Sequence, residues 1–154
     1  MGFGIGIVAI IGLVLAGRFF IIPATSPRPT NLGWRGAEEG WRNCPDAMNC
    51  VSSTANPDTR FYIAPIPFTG TVDSANSAII EAINAMPRST VITNNDDYIH
   101  AEFTSFTMGY IDDTEFYFDT DNNVIQVRSG ARLGYGDAGV NRKIIETIRA
   151  QFEG

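Results

Sequence analysis

The chain opens with an unbroken apolar run, Gly2 to Ile22 (GFGIGIVAIIGLVLAGRFFII), whose single charge, Arg18, stands near its far end. At about 1.5 Å per residue, such a run crosses the roughly 30 Å hydrocarbon core of a bilayer as one helix. No Lys or Arg precedes it, and bulky Phe19 to Ile22 fill the place where a cleavage site would open, so it reads as a retained anchor. Arg18 lies within a turn of the end, where its stem reaches the headgroups. Gly2 with Gly6, and Gly12 with Ala16, pair small residues at four-residue spacing and mark a face that another helix can approach closely.

After Ile22 the pattern breaks. Pro23 to Thr30, PATSPRPT, holds three prolines and reads as a stiff, extended spacer between membrane and domain. Asn31 to Arg60 has no period and reads as an irregular wrap, with Trp34 expected at headgroup level and Trp41 in the core or a lid. Phe61 to Phe68 is apolar but carries two prolines, which allows an edge strand at best.

Helical spacing then appears. Ala75, Ile79, Ala82, Ile83 and Met86 predict a helix over Thr71 to Met86, capped by Thr71 or Asp73 and stopped by Pro87. Strand patterns follow at Ser89 to Thr93, Tyr98 to Thr107, Thr114 to Asp119 and Val124 to Ser129, with turns at NNDD (94–97) and TDNN (120–123). Between Tyr98 and Thr107, Ile99, Ala101, Phe103 and Ser105 share one face, and Tyr98, His100, Glu102, Thr104 and Phe106 the other. A last helix, capped by Asp137 or Asn141, turns Val140, Ile144, Ile145, Ile148 and Phe152 inward. Adjacent strands with short connections give an antiparallel meander, and two amphipathic helices can cover one face of it. The expectation is an α+β domain over residues 31–154, preceded by one transmembrane helix and the spacer.

Charge narrows the partners. With 11 basic against 17 acidic residues the net charge is −6, which argues against nucleic acid and against docking on anionic lipid. Cys44 and Cys50, in CPDAMNC, suit a short disulfide-closed loop in an oxidising compartment and a pair of thiols in the cytosol; the disulfide is favoured. With a single histidine, His100, the chain lacks the ligands of a structural zinc site, and no metal or cofactor is expected. Arg18, Arg28, Arg35 and Arg42 after the span favour a cytoplasmic domain by charge, whereas the cysteine loop favours the outer face. Folded domains translocate largely regardless of charge, so the outer placement is kept.

Candidate chemistry concentrates near the C-terminus. DTDNN (119–123) places carboxylates at alternate positions, yet it lacks the glycine and the twelfth-position acid of a calcium loop, so a hairpin turn accounts for it better. Arg128, Ser129, Arg132, Asp137, Asn141 and Arg142 form a candidate site for a carboxylate or phosphate at the start of the last helix. The competing account pairs the arginines internally with Asp112, Asp113 or Asp137. Asp112 and Asp113 are adjacent and point to opposite faces of a strand, so they would not share a substrate. His100 stands apart from any nucleophile signature, and no catalytic set is found.

The segments CPDAMNCVSS, IDDTEFYF and VRSGARLGYGDAGVNRKIIETIR resemble the domain of unknown function family numbered 1499, over about Asn43 to Phe152. The resemblance implies a bacterial or plastid protein with an amino-terminal membrane or export segment, hence an extracytoplasmic domain, and brings no established activity. The expected function is a membrane-anchored accessory or structural subunit of a larger complex, photosynthetic or respiratory, in a bacterial inner membrane with a periplasmic domain. Its partners would be the bilayer and other subunits against the N-terminal helix. The alternative is a tethered domain that binds a small anion.

Overall fold

The computed structural model describes residues 25–106 and 108–154, together with Gly12, which is helical. The expected membrane span, with its small-residue pairs Gly2/Gly6 and Gly12/Ala16, therefore lies outside the described residues except at Gly12. No helix among the described residues is long and apolar enough to cross a membrane.

Among residues 25–154 as described, eight elements follow in order: β1 (Cys50–Ser52), β2 (Ile66–Pro67), α1 (Val72–Ala85), β3 (Ser89–Asn94), β4 (Tyr98–Thr104), β5 (Ile111–Asp119), β6 (Val124–Ala131) and α2 (Val140–Glu153). The sheet runs β1-β6-β5-β4-β3, with β2 also on β6, and every pairing is antiparallel. This is the expected meander, because β3 to β6 are joined by turns too short for crossovers. The register of β3 on β4 shifts between Val91 and Thr93, a bulge in the outermost strand.

Alternation decides what each face buries. Ile99, Ala101 and Phe103 of β4, Phe116 and Phe118 of β5, and Ile125 and Val127 of β6 share one core with Ala75, Ile79, Ala82 and Ile83 of α1 and Ile144, Ile145 and Ile148 of α2. Thr71 caps α1, its hydroxyl accepting from the Ser74 N–H at 3.2 Å. Asp137 satisfies the start of α2, accepting from the Gly139 and Asn141 N–H groups at 2.9 and 2.8 Å. Of the expected inward stripe on α2, Val140 is 41 % exposed, because it begins the first turn beyond the sheet.

Three segments outside the main elements pack on the domain in specific ways. Residues 25–30, expected as part of a stiff spacer, are fastened to the domain: Ser26 is buried, its carbonyl accepts from Arg132 at 3.1 Å, and Arg28 binds Glu102 at 2.7 Å. Prolines disfavour helix here, and residues 25–30 form an irregular strap with bends at both ends. Trp34, expected at headgroup level, stacks on Tyr117 of β5, ring centroids 4.6 Å apart and 8° from parallel, so one of its faces packs on the domain. Trp41 is buried beside it, as expected, at 5.1 Å from Trp34. The apolar 61–68 segment gives no more than the expected edge strand, β2; Arg142 donates to the carbonyls of Arg60 and Tyr62, and Arg149 to those of Ala64 and Pro65.

Candidate functional site

The second face of the sheet is polar and nevertheless buried, because residues 25–49 wrap over it. Pairing sets the rows: His100 lies opposite Glu115, Glu102 opposite Asp113, and Glu115 opposite Arg128. Alternate positions on three neighbouring strands thus deliver His100, Glu102, Asp113, Glu115 and Arg128 to one surface. His100, Asp113, Glu115 and Arg128 are all fully or almost fully buried.

Such charges persist in a low dielectric only when paired and hydrogen-bonded. Arg132 grips Asp113 through both oxygens, Nε to Oδ2 at 2.9 Å and Nη2 to Oδ1 at 2.8 Å, and also contacts Glu102. His100 Nε2 meets Asp113 Oδ1 at 2.8 Å. Burial alone would push Asp113 up, but the bonds from Arg132 and His100 outweigh it and hold the carboxyl below its ordinary value. Glu102 is lowered in the same way, burial being outweighed by Arg28 and Arg132. Arg132 is raised, chiefly by its bond to Asp113.

A second group centres on Glu115. Its Oε2 accepts from the Gly33 N–H at 2.5 Å and from the Tyr98 hydroxyl at 2.9 Å, while Oε1 faces Arg128 Nη1 at 3.5 Å. Burial, then the Glu115 charge, raise the Tyr98 phenol. Arg128 Nε donates to the Arg42 carbonyl at 3.2 Å. Burial, followed by the neighbouring Arg42 charge, lowers Arg128 to about 10.

Ligand atoms of His100, Glu102 and Asp113 lie within 4.8 Å of one another, a spacing that could surround a cation. The Arg132 guanidinium already bonds both Asp113 oxygens and Glu102 Oε1, and its fixed charge opposes a divalent ion there. The arrangement is an ion-pair layer joining wrap to sheet.

The six residues of the expected anion site do not converge. Arg128 and Arg132 belong to the wrapped face. Ser129, Asp137 and Asn141 lie on the helix face: Ser129 Oγ donates to Asn141 Oδ1 at 2.6 Å, and Asn141 Nδ2 donates to Asp137 Oδ2 at 2.7 Å and Asp112 Oδ1 at 3.1 Å. Arg142 holds backbone carbonyls elsewhere. The period of two in β6 separates residues 128 and 129, and the turn before α2 carries residue 132 away from 141. Asp112 and Asp113 do face opposite ways, and Arg132 does pair with Asp113. Cys44 and Cys50 form a disulfide with Cα atoms 5.7 Å apart. Its loop presents Met48, which donates to the Tyr135 carbonyl at 2.7 Å and accepts from the Asp137 N–H.

With this geometry the sequence can be set against known families. A family model described as a protein of unknown function, DUF1499, matches residues 42–152. The chain belongs to the DUF1499 family. No curated protein matches it significantly. The DUF1499 match takes in β1 to β6, α1, all of α2 but its last residue, Arg42 and the disulfide. The strap at 25–30 and Trp34 precede it. Reasoning on the sequence missed Glu102, Glu115 and Arg42 as members of the polar layer. The available signal was the alternation itself, which sets His100, Glu102, Asp113 and Glu115 on the face opposite the apolar residues.

Proposed function

We propose that this DUF1499 protein is a single-span, membrane-anchored accessory subunit of a larger membrane complex, photosynthetic or respiratory, with its domain on the periplasmic side of a bacterial inner membrane. The observation that carries this reading is the seating of the strap. Ser26 and Arg28 are tied to Arg132 and Glu102, so the chain is fastened to the sheet within a few residues of the apolar stretch in the sequence. A strap seated on the sheet so near the proposed anchor favours one orientation of the domain toward its neighbours.

The surface beside that junction agrees. Arg132 N–H donates to the Ile111 carbonyl, which brings the β4–β5 loop and the loop after β6 to the end of the sheet where Ser26 lies. These loops expose Phe106 (65 %), Met108, Leu133 and Tyr135 (67 %), four of the six large apolar residues that stand out among the described ones. Apolar side chains gathered near a membrane junction suit contact with a neighbouring subunit. The disulfide supports an oxidising compartment.

The test is extraction of native membranes with a mild detergent, followed by native gel electrophoresis. The protein is expected to migrate with other polypeptides, well above its own mass. Migration alone, near that mass, would overturn the reading.

A further inference from the structure

A cleft of about 350 Å³ opens between the wrap and the sheet, within the range of small-ligand pockets. Arg42, Arg128 and Arg132 line it with Asn31, Asn43 and Asn49, and no carboxylate is among its lining residues. The charge layer behind it is unbalanced. Four guanidinium groups, of Arg28, Arg42, Arg128 and Arg132, meet the three carboxylates of Glu102, Asp113 and Glu115.

Arg132 and Arg28 are matched by Asp113 and Glu102. Arg128 holds Glu115 by one contact at 3.5 Å, longer than the other ion pairs of the layer. Arg42 donates through Nη1 to Asn31 Oδ1 at 2.6 Å, while its Nε is buried with no acceptor. Arg42 and Arg128 also repel, which is the second cause, after burial, of the lowered Arg128 value. Two guanidiniums held together at a cleft, one with an unused buried donor, leave a place for negative charge.

We infer that this cleft binds a small oxyanion, a carboxylate or phosphate group, between Arg42 and Arg128. The planar guanidinium fork matches either group in a bidentate way, and the anion supplies the missing acceptor for Arg42 Nε. Arg132 at the rim adds positive potential without leaving Asp113. The site differs in place from one at the start of α2, and it does not depend on membrane attachment.

The experiment uses the full chain in micelles of an uncharged detergent at neutral pH and low salt. Inorganic phosphate and succinate are titrated separately and followed by calorimetry and thermal unfolding. Saturable binding of either is expected, with a dissociation constant raised about tenfold or more in Arg42→Gln, the value of one charge-assisted contact. Lys143→Gln, which removes an exposed charge elsewhere, should bind as the parent does. If Arg42→Gln does not fold, Arg42→Lys keeps the charge, loses the fork and serves the same comparison. No saturable binding of either probe by the parent, or equal binding by the Arg42 variant, overturns the inference.

Discussion

Asp112 shows how one side chain can work against the fold at neutral pH. It is 4 % exposed on the helix face, with Asn141 donating to it and no cation paired to it among the described residues. Burial pushes its carboxyl up to about 6; the Asn141 bond opposes this, and the charges of Asp137 and Asp113 add to it. Because the folded value exceeds the unfolded one, the folded state binds more protons. This contribution to stability is full below about pH 4 and is lost as pH rises through 6. Asp112→Asn keeps an acceptor for Asn141 and is expected to be more stable than the parent at pH 8 by on the order of 2 kcal/mol, the gap closing toward pH 4. Urea unfolding across that range measures it. Asp113 and Glu102 have the opposite sign: their values are lowered, so their stabilisation is present above the unfolded value and fades as pH falls. The parent should therefore be most stable at mildly acidic pH. That Asp112 and Asp113 diverge was legible in the alternation of a strand. Their partners were not, because Asn141 and Arg132 arrive from segments whose approach only the tertiary fold fixes.

At the scale of elements, periodicity served where an element buries a long face. The α1 boundaries differ from expectation by one residue at each end, and the α2 stripe is correct at Ile144, Ile145 and Ile148. Ile145→Ala should cost about 2–5 kcal/mol, as large-to-small changes in a filled core do, whereas Val140→Ala should cost less than about 1 kcal/mol. Thermal or chemical unfolding of the pair separates core from rim. Strands were legible as far as they alternate: β5 begins at Ile111 and not Thr114, because Asp112 and Asp113 hide the rhythm behind two charges. Strand β1 carries no signal of its own. Three residues are too few to show a period, and it exists because β6 offers it an edge and the disulfide holds it there.

For the whole molecule, the unexpected feature is the layer order. Two helices cover one face of the sheet, and an irregular wrap covers the other over charges and not over oil. Composition could not show this, since an acidic domain with scattered arginines reads as one with a solvated surface. Arg132 is the tie, reaching Asp113, Glu102 and the Ser26 carbonyl at once. Arg132→Gln should strip residues 25–30 from the sheet and leave Asp113 buried without its cation, at a cost of about 3–5 kcal/mol. Limited proteolysis should then cut near Arg28 in the variant and spare the parent.

The bulge between Val91 and Thr93 bears on how copies of this domain can meet. A second chain aligning with β3 would form a few backbone bonds before its ladder fell out of step. The opposite margin offers only the stubs β1 and β2. Continuous sheets between molecules are thereby discouraged, so crowding should not seed fibres, and lasting association between copies falls to side chains and not to strand pairing.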